Sequence, residues 1–422
     1  MCKLGDYFQD TTVYISVDVY ERYLFFKRFA ATALDLTKKI VMLTSRQSIY
    51  RKARKDGFAC HLIKVNDSHS NEGWMDHSVA KSWNVLNGTL SPQTALKTFS
   101  SSFHFFDRLI SLDQGASLLV LWNGNAVVEK ALSSVADNNG IPKVFLEIGN
   151  ITGKIFADPY GVNAQAKIAT ILDDLDTLEC NFSAFEKWCK TYLKDKLKAH
   201  NVPQANIIRN ANKFWFIDRF SDLFLDSVWV DETSFIDKVK NVVQRKSSLL
   251  AGYKCDRLEN LPKHYIFQPL QVTSDTNILI NSDVDNQQVL SKAMERAKAK
   301  GWSLVLKVHP AETDAEFVRT VFSLRDGKNV FVCNDNTFQL IYGAEEVYNI
   351  NSTVGIEAML ACKPVRICGR TFYNNFDRVR LAKYIQHYLV DCDYFLEKTV
   401  SKEAVYKILS RAEVREARRA SE

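Results

Sequence analysis

The chain has 422 residues, 46% of them hydrophobic and 25% charged, a composition typical of a globular protein built from two domains of about 200 residues each. Its net charge of +6, from 55 basic and 49 acidic residues, is too small for the basic surface of a nucleic-acid binder. The nine cysteines form no CxxC pair and no metal-type spacing with the eight histidines, which favours reduced thiols in a cytoplasmic protein.

The sequence offers no segment suited to crossing a membrane. No run approaches the roughly 18 apolar residues of a membrane span, and the first residues lack the apolar core of a signal peptide. We therefore expect a cytoplasmic protein. If it acts at a membrane, we expect peripheral contact with the inner face or with an export or assembly complex.

The first half of the chain alternates strand-like and helix-like segments, the pattern of a parallel sheet with crossover helices. Residues 167–246 then change to charged, helical-looking sequence with interleaved aromatic side chains, and we interpret them as a helical insertion. We expect its aromatic face to pack on a sheet domain, the alternative being an acceptor-binding surface. In this half the predicted strands are residues 12–17, 39–44, 117–122 and 143–146, and the predicted helices are residues 21–36 and 126–138.

A second alternating block follows a linker near residues 245–263. The sequence therefore predicts an α/β fold with two Rossmann-like domains, residues 1–250 and 251–422, that face an interdomain cleft. The basic segment 411–419 is predicted to be a frayed, solvated helix end. In this block the predicted strands are residues 264–268, 303–308, 329–333, 347–350 and 364–368, and the predicted helices are residues 285–300, 337–343 and 354–362.

Polar residues follow the strands of this second block. His309 comes after the apolar run that ends in Lys307 and Val308, and a proline after it prevents simple helix continuation. Open α/β sheets bind nucleotides at the carboxyl ends of their strands, so the ring is placed to donate a hydrogen bond to a phosphate or a sugar hydroxyl. The alternative is a half-buried histidine with a structural role. Gln271 adds an amide at the end of the preceding strand, and Asp275 and Asn277 extend the polar edge.

Ser352 and Thr353 precede a helix whose first turn contains Gly355. Short hydroxyl residues at that position are ordinary helix caps. A helix N-terminus with two hydroxyls and a glycine that permits close approach is also suited to a phosphate. Glu357, one turn further on, could accept hydrogen bonds from ribose hydroxyls, although an exposed helix glutamate is the simpler interpretation.

Two carboxylates of the first half, Glu147 and Asp158, lie in a glycine-punctuated loop after a strand. Two acids that face one cleft can take different roles, one as nucleophile or base and the other as acid or orienting group. The alternative is that Asp158 caps the Asp-Pro-Tyr-Gly turn and that Glu147 is solvated. Three acids of the helical insertion could supply another carboxylate: Asp226, Asp231 and Glu232.

Together these segments resemble the bacterial capsular-polysaccharide and O-antigen β-Kdo glycosyltransferases. The resemblance spans residues 117–165 and 264–370, and its histidine-proline and serine-threonine motifs are shared with other families that use CMP sugars, including sialyltransferases. It is carried by Trp-Asn-Gly at 122–124, Glu147, Asp-x-x-Gly-Val-Asn at 158–163, Gln-Pro-Leu-Gln at 268–271, Lys-Val-His-Pro at 307–310 and Asn-Ser-Thr-Val-Gly-Ile-Glu-Ala at 351–358.

The resemblance implies a GT-B-like fold that holds the donor, CMP-β-Kdo, mainly in the C-terminal domain and the acceptor mainly in the N-terminal domain. It implies a retaining reaction in which Asp158 is the catalytic carboxylate, assisted by Glu147. The CMP leaving group is already a good one, so we expect neither a metal nor a cofactor besides the donor. The implied donor contacts are His309, Ser352, Thr353 and Glu357 around CMP, Lys307 or Gln271 near the donor carboxylate or phosphate, and Asn163.

The expected partners are the nucleotide sugar and a capsular, lipopolysaccharide O-antigen or lipid-linked glycan acceptor, and not a nucleic acid. One alternative keeps the enzyme class but changes the donor to another CMP-nonulosonate, such as CMP-sialic acid. The other is a non-catalytic glycan-binding or assembly protein that retains the fold. The acceptor and the linkage position stay open.

Overall fold

The structure is a computed structural model that describes residues 8–65, 77–113, 115–198, 228, 230–232 and 249–415. These residues form two compact units, each with its own sheet. Unit 1 contains the described residues of 8–172, 228–232 and 387–415. Unit 2 contains those of 173–198 and 249–386.

The strands of both units overlap all nine predicted strands, and three strands that the sequence analysis did not predict join them. In chain order they are β1 (Thr11–Ser16), β2 (Lys39–Thr44), β3 (Ala59–Leu62), β4 (Ala116–Leu121), β5 (Lys143–Ile148), β6 (Lys154–Asp158), β7 (Tyr265–Pro269), β8 (Ser303–Lys307), β9 (Val330–Val332), β10 (Glu346–Asn349), β11 (Val365–Ile367) and β12 (Val390–Asp391).

The helices connect and cover the strands. In chain order they are α1 (Tyr20–Ala33), α2 (Gln47–Lys55), α3 (His77–Ala80), α4 (Trp83–Leu86), α5 (Pro92–Ser111), α6 (Val127–Asn138), α7 (Asp173–Asp176), α8 (Phe182–Lys198), α9 (Thr276–Asn281), α10 (Asn286–Lys300), α11 (Ala315–Ser323), α12 (Thr337–Gly343), α13 (Thr353–Leu360), α14 (Arg378–Lys383) and α15 (Lys402–Leu409).

Unit 1 has a seven-stranded sheet in the order β12-β6-β5-β4-β1-β2-β3. Strands β1 to β5 are parallel, whereas β6 and β12 run antiparallel to their neighbours. Parallel strands between helical layers are buried on both faces and therefore read as continuous apolar runs, as β2 and β4 do. The core includes Val13, Ile15, Met42, Val120, Leu146, Ile155 and Val405.

Unit 2 has a five-stranded parallel sheet in the order β11-β10-β7-β8-β9. Its strands also pack on both faces, because Leu304 and Leu306 of β8 belong to one apolar cluster and Val305 belongs to another. A capping box between Asp285 and Gln288 fixes the start of α10. The two sheets confirm the predicted α/β fold class with two Rossmann-like domains.

The chain divides differently from the predicted boundary at residue 250. Residues from His387 onward belong to unit 1, where Val390 of β12 pairs with Ile155 of β6. The predicted C-terminal domain is therefore shorter than residues 251–422. A two-residue strand has no periodicity to detect, and its partner lies more than two hundred residues earlier in the sequence, as the pairing of Val390 with Ile155 shows.

The helical insertion and the basic tail also differ in part from the prediction. Helix α8 belongs to unit 2 and buries Phe185, Cys189 and Leu193, as the packing interpretation expects. Arg411 is not a solvated helix end, because its guanidinium donates to the backbone oxygens of Ala157 at 2.8 Å and His387 at 3.2 Å. Four of the aromatic residues in the predicted insertion lie outside the described residues: Phe214, Trp215, Phe216 and Phe220.

Candidate functional site

The carboxyl edge of the unit 2 sheet gathers the polar residues that follow its strands. Pro269 of β7 is paired with Lys307 of β8, so Gln271 and His309, each two residues further on, lie at the same level. Asn351, just after β10, hydrogen-bonds to Gln271. The structure thus brings together the residues predicted to bind the donor that lie in this unit.

His309 lies exposed at this edge, with its Nδ1 accepting the backbone N–H of Ala311 at 3.1 Å. Desolvation by the surrounding protein lowers the pKa of the ring, and Asp275 and Glu312 oppose this only in part. A neutral imidazole that accepts through Nδ1 carries its proton on Nε2. His309 can therefore donate one hydrogen bond to a ligand oxygen.

Lys307, the last residue of β8, hydrogen-bonds to the segment between β9 and α12, and to the start of α12, at the same edge. Its Nζ donates to the backbone oxygen of Asp335 at 2.6 Å and to Thr337 Oγ1 at 2.9 Å, and burial lowers its pKa. An ammonium group has three donors, so these bonds use two of them. Lys307 therefore connects the end of β8 to the start of α12 and retains capacity for one further contact.

Gln271 is buried and joins the ends of β7 and β10. Its Nε2 donates to Asn351 Oδ1 at 3.2 Å, and its Oε1 accepts the Asn351 backbone N–H at 3.2 Å. The Asn351 amide in turn donates to the backbone oxygen of Asn277 at 2.8 Å. Gln271 shapes the edge in this arrangement, and its direct contact with a donor stays a prediction.

Ser352 does not cap α13 with its side chain, contrary to the simple interpretation. Its Oγ donates instead to Asn349 Oδ1 at 2.7 Å, while Tyr373 donates its hydroxyl to the Ser352 backbone oxygen at 2.6 Å. A Cβ at Gly355 would lie 2.5 Å from Asn349 Nδ2 and 2.6 Å from the Tyr373 hydroxyl. Glycine is thus required at this position for close packing, and Thr353 begins the helix beside it.

Glu357 is an unusual carboxyl for a helix glutamate. Burial raises its pKa to about 7, although nearby Lys196 and Lys307 oppose the shift. A carboxyl of this kind is close to half protonated at neutral pH. It can accept a hydroxyl hydrogen bond, as predicted for a ribose contact, or donate one when protonated.

The sequence analysis missed the polar end of β9. Asn334 and Asp335 follow that strand and line a cavity of about 550 Å³ together with Tyr253, Arg257 and Arg325. Asp335 Oδ2 accepts the backbone N–H of Leu258 at 2.7 Å. The signal was present, because a polar pair follows this buried strand just as Lys307 and His309 mark the end of β8.

In unit 1, Asp158 is fully buried and organises the loop after β6. Its Oδ1 accepts the backbone N–H groups of Tyr160 at 2.8 Å, Gly161 at 3.3 Å and Lys167 at 2.8 Å, and its Oδ2 accepts the Tyr388 hydroxyl at 2.7 Å. Burial raises the pKa of Asp158, and these hydrogen bonds oppose the shift. The turn-capping role weighed in the sequence analysis is therefore present, and both carboxylate oxygens are engaged.

The strand register places Asp158 level with the carboxyl edge of the unit 1 sheet. Asp158 pairs with Phe145, which pairs with Leu121, the last residue of β4. Glu147 pairs with Phe156, so both carboxylates extend from the same face of this hairpin. Diagonal neighbours across two strands are about 7–8 Å apart, and Glu147 is only half-buried.

The loop between Asp158 and Lys167 turns at Asn163, whose φ of 51° lies in the left-handed region that asparagine tolerates. Asn163 is buried and begins a short 3₁₀ helix that ends at Gln165. Gln165 Nε2 donates to Asn125 Oδ1 at 3.2 Å, which connects this loop to the loop after β4. The predicted donor contact of Asn163 stays a prediction.

A buried glutamate that sequence analysis did not single out orders the loop after β4. Glu129 is 3% exposed, and it accepts the backbone N–H groups of Trp122 at 2.9 Å and Gly124 at 3.1 Å. Burial raises its pKa. It occupies the third position of α6, where a glutamate commonly hydrogen-bonds back to the residues before the helix.

Of the acids proposed as alternatives in the insertion, Asp226 lies outside the described residues. Glu232 accepts the Ser91 backbone N–H at 2.7 Å and the Thr94 hydroxyl at 2.5 Å, so it stabilises the start of α5. Within the described ranges, no group of three or more histidine, cysteine, aspartate or glutamate side chains could hold a metal ion. The expected metal independence stays a prediction.

Two further properties bear on the sequence analysis. Eight cysteines fall in the described part of the chain, and all eight have free thiols. Among the helices described, none is long and apolar enough to span a bilayer.

Comparisons with known proteins give one curated relative and several distant structural likenesses. Protein FixF of Sinorhizobium fredii is 26% identical over 280 residues, which is 65% of this chain and 53% of that protein, so the chain spans about half the length of this relative. The structure titled KpsC, β-Kdo 2,7 transferase, from Thermosulfurimonas dismutans is 15% identical and covers 94% of this chain and 99% of its own, with a TM-score of 0.39.

The β-Kdo 2,4 transferase structure of the same KpsC is 14% identical, covers 70% of this chain and 79% of its own, and has a TM-score of 0.37. At such scores a likeness is too distant to assign an activity. The family model described as capsule polysaccharide biosynthesis protein matches residues 118–377, which is more than half of the chain and includes both carboxylates and the whole unit 2 edge. The chain belongs to the capsule polysaccharide biosynthesis protein family.

Proposed function

We propose that this protein is a retaining glycosyltransferase that transfers β-Kdo from CMP-β-Kdo to a capsular, O-antigen or lipid-linked glycan. One observation carries the proposal most directly. A member of a capsule biosynthesis family gathers His309, Ser352 and Glu357 at the carboxyl edge of a parallel sheet, where open α/β sheets bind nucleotides.

In this proposal the unit 2 edge holds the CMP part of the donor. His309 donates its Nε2 proton to a phosphate oxygen, and the start of α13 at Ser352 and Thr353 stabilises the phosphate charge. Glu357 accepts from a ribose hydroxyl. The phosphate of CMP leaves readily, so the reaction proceeds without a metal.

Retention requires two displacements at the anomeric carbon. In the first, a carboxylate oxygen forms a bond to that carbon while the bond to the CMP oxygen breaks. In the second, an acceptor hydroxyl attacks, the carboxylate leaves, and a base takes the hydroxyl proton. We assign the nucleophilic carboxylate oxygen to Asp158 Oδ2. We assign the base that takes the hydroxyl proton to Glu147, which extends from the same face of the hairpin.

The geometry sets a condition on this assignment. Three backbone donors hold Asp158 Oδ1, so a reacting Oδ2 would have a fixed direction. Oδ2 is covered by Tyr388 in the structure described here, and attack requires the Tyr388 hydroxyl to move aside. If that movement does not occur, Asp158 acts as the organiser of its loop and Glu147 is the reacting acid.

Intact-mass measurement after mixing with freshly generated CMP-Kdo tests donor and mechanism together. We expect a mass gain of one Kdo unit in the wild type that is absent in Asp158→Asn, which keeps the loop-forming acceptor oxygen but lacks a nucleophilic carboxylate. An adduct that persists in Asp158→Asn and disappears in Glu147→Gln would transfer the nucleophile role to Glu147. An intact donor and no adduct with the wild type would contradict the function itself.

The alternative donor rests on the histidine-proline and serine-threonine motifs, which other CMP-sugar enzymes share. Thermal unfolding in the presence of CMP-Kdo and CMP-sialic acid separates the two donors. A ligand at a hundred times its dissociation constant stabilises the folded state by about 2.7 kcal/mol. We expect that stabilisation from CMP-Kdo, and a larger effect of CMP-sialic acid would show that the donor assignment is wrong.

A further inference from the structure

Packing alone does not explain why the last turn of helix α8 ends at the carboxyl edge of unit 2. We propose that Lys196, in the last turn of α8, binds the phosphate of the nucleotide held at the carboxyl edge of unit 2. The inference rests on the proposed function, because it takes CMP as the bound nucleotide. It gives the helical insertion a role in donor binding in addition to packing.

The middle of α8 is fixed to the C-terminal end of α13. Arg378 forms a two-pronged ion pair with Glu186 of α8 at 2.8 and 3.2 Å, and it donates to the backbone oxygens of Met359 at 2.9 Å and Leu360 at 3.0 Å. Cys189 of α8 lies 3.3 Å from the same Leu360 oxygen. These contacts set the helix in one position.

The end of α8 reaches the start of α12, at the carboxyl edge. Asn336, the residue that caps α12, donates to the Lys196 backbone oxygen at 3.1 Å. From Cys189 to Lys196 a helix advances about 10 Å at 1.5 Å per residue. Helix α8 therefore runs from the far end of α13 to the edge where α12 begins.

Aromatic packing holds the Lys196 side chain. Its Nζ lies 5.4 Å from the centre of the Tyr192 ring, which stacks on Trp188 at 5.0 Å and meets Phe338 edge-on at 6.3 Å. A cation over an aromatic face is stabilised and loses part of its conformational freedom before any ligand binds. The ammonium is thus positioned at low entropic cost.

The charges at this position suit an anion. Lys196 and Lys307 both act electrostatically on Glu357, whose carboxyl is buried. Asp335 also acts on Lys307, so the four groups give a net charge near zero when the Glu357 carboxyl is ionised and about +1 when it is protonated. A phosphate at the start of α13 would meet this surplus as well as the helix N-terminus.

The competing explanation is structural. Lys196 could serve only to neutralise Glu357, in which case its loss would reduce stability without a specific effect on phosphate. The two explanations predict different effects of a Lys196 substitution on the affinity for cytidine, which has the base and ribose of CMP but no phosphate. They also predict different effects of this substitution on the stability of the protein without ligand.

Isothermal titration with CMP and with cytidine tests the inference on the full chain. We compare Lys196→Met with Lys194→Met, which removes the same charge from an exposed position two residues away, about 200° around the helix. We expect Lys196→Met to weaken CMP binding roughly tenfold or more and to leave cytidine binding unchanged, since charge-assisted hydrogen bonds have such magnitudes. Lys194→Met should match the wild type, and Lys196→Arg should retain most of the affinity.

Three other outcomes would contradict the phosphate contact, the proposed function or both. If Lys196→Met binds CMP as tightly as Lys194→Met does, the phosphate contact is wrong and the proposed function is unaffected. If CMP and cytidine lose affinity equally and the unliganded variant melts earlier, the role of Lys196 is structural and the inference is wrong. A wild type that binds no CMP contradicts both the proposed function and the contact.

Discussion

At the scale of single residues, the two carboxyls that matter most to the proposal are held in opposite ways. Asp158 is saturated by donors from one loop and one distant tyrosine. Glu357 is half-buried with two lysines near it, and desolvation of its carboxyl raises its pKa to about 7. Substitution of Asp158 therefore tests the order of its loop, whereas Glu357 makes the stability of the protein depend on pH.

Removal of the Tyr388 hydroxyl tests how much Asp158 depends on it. In Tyr388→Phe, Oδ2 of a fully buried carboxyl loses its donor, and an unsatisfied buried acceptor costs about 1–3 kcal/mol. We expect a decrease of that size in the free energy of unfolding, measured by urea denaturation. Tyr342→Phe, at an exposed position, is the control, and an equal loss in both variants would show that the hydrogen bond is unimportant.

Glu357 predicts a pH dependence whose sign follows from its raised pKa. The folded state holds the proton up to about pH 7, whereas the unfolded chain releases it near 4.5, so the carboxyl disfavours folding increasingly as pH rises through this interval. Relative to Glu357→Gln, we expect the wild type to lose about 1–3 kcal/mol of unfolding free energy between pH 4.5 and 7. The exposed Glu295→Gln supplies the control, and parallel curves for Glu357→Gln and the wild type would contradict the burial of this carboxyl.

At the scale of elements, the sequence predicted where strands end but not which side chains hydrogen-bond to one another at those ends. The end of β8 at Lys307 and the start of α13 at Thr353 were predictable, because a buried parallel strand is an apolar run that stops at the polar edge. The amide pair between Gln271 and Asn351 was not, since it joins positions eighty residues apart through side chains with no local signal. Glu129 was missed because a glutamate in the first turn of a helix is usually exposed.

The loop after β4 gives a prediction at this scale. Glu129 satisfies two backbone N–H groups of that loop in a buried setting, and each donor left unsatisfied costs about 1–3 kcal/mol. We expect Glu129→Ala to lower the free energy of unfolding by about 2–5 kcal/mol. We also expect the Trp122 fluorescence to change, because the backbone N–H of Trp122 is one of the two donors. An unchanged spectrum and unfolding curve would show that the loop is ordered without Glu129.

At the scale of the whole molecule, the chain does not divide into two consecutive domains. Unit 1 is completed by the segment that starts at His387, and unit 2 includes α8 from the middle of the sequence. This division differs from the predicted boundary at residue 250, because contacts between distant segments decide it, whereas composition and periodicity describe only local sequence. The C-terminal segment supplies Tyr388 to Asp158 and Arg411 to the backbone of Ala157, so it supports the proposed catalytic loop directly.

Truncation tests this organisation. A chain that ends at Gln386 lacks β12 and α15, and with them Val405, Ile408 and Leu409 of the unit 1 core. The loss of these buried side chains and of the Tyr388 hydrogen bond should destabilise unit 1, while the described contacts within unit 2 stay intact. We expect hydrogen exchange to show lost protection in β6 and in the Asp158 loop but normal protection in β7 and β8. A chain that ends at residue 415 keeps every contact described above and is the control, and normal protection of β6 in the shorter chain would contradict the role assigned to the C-terminal segment.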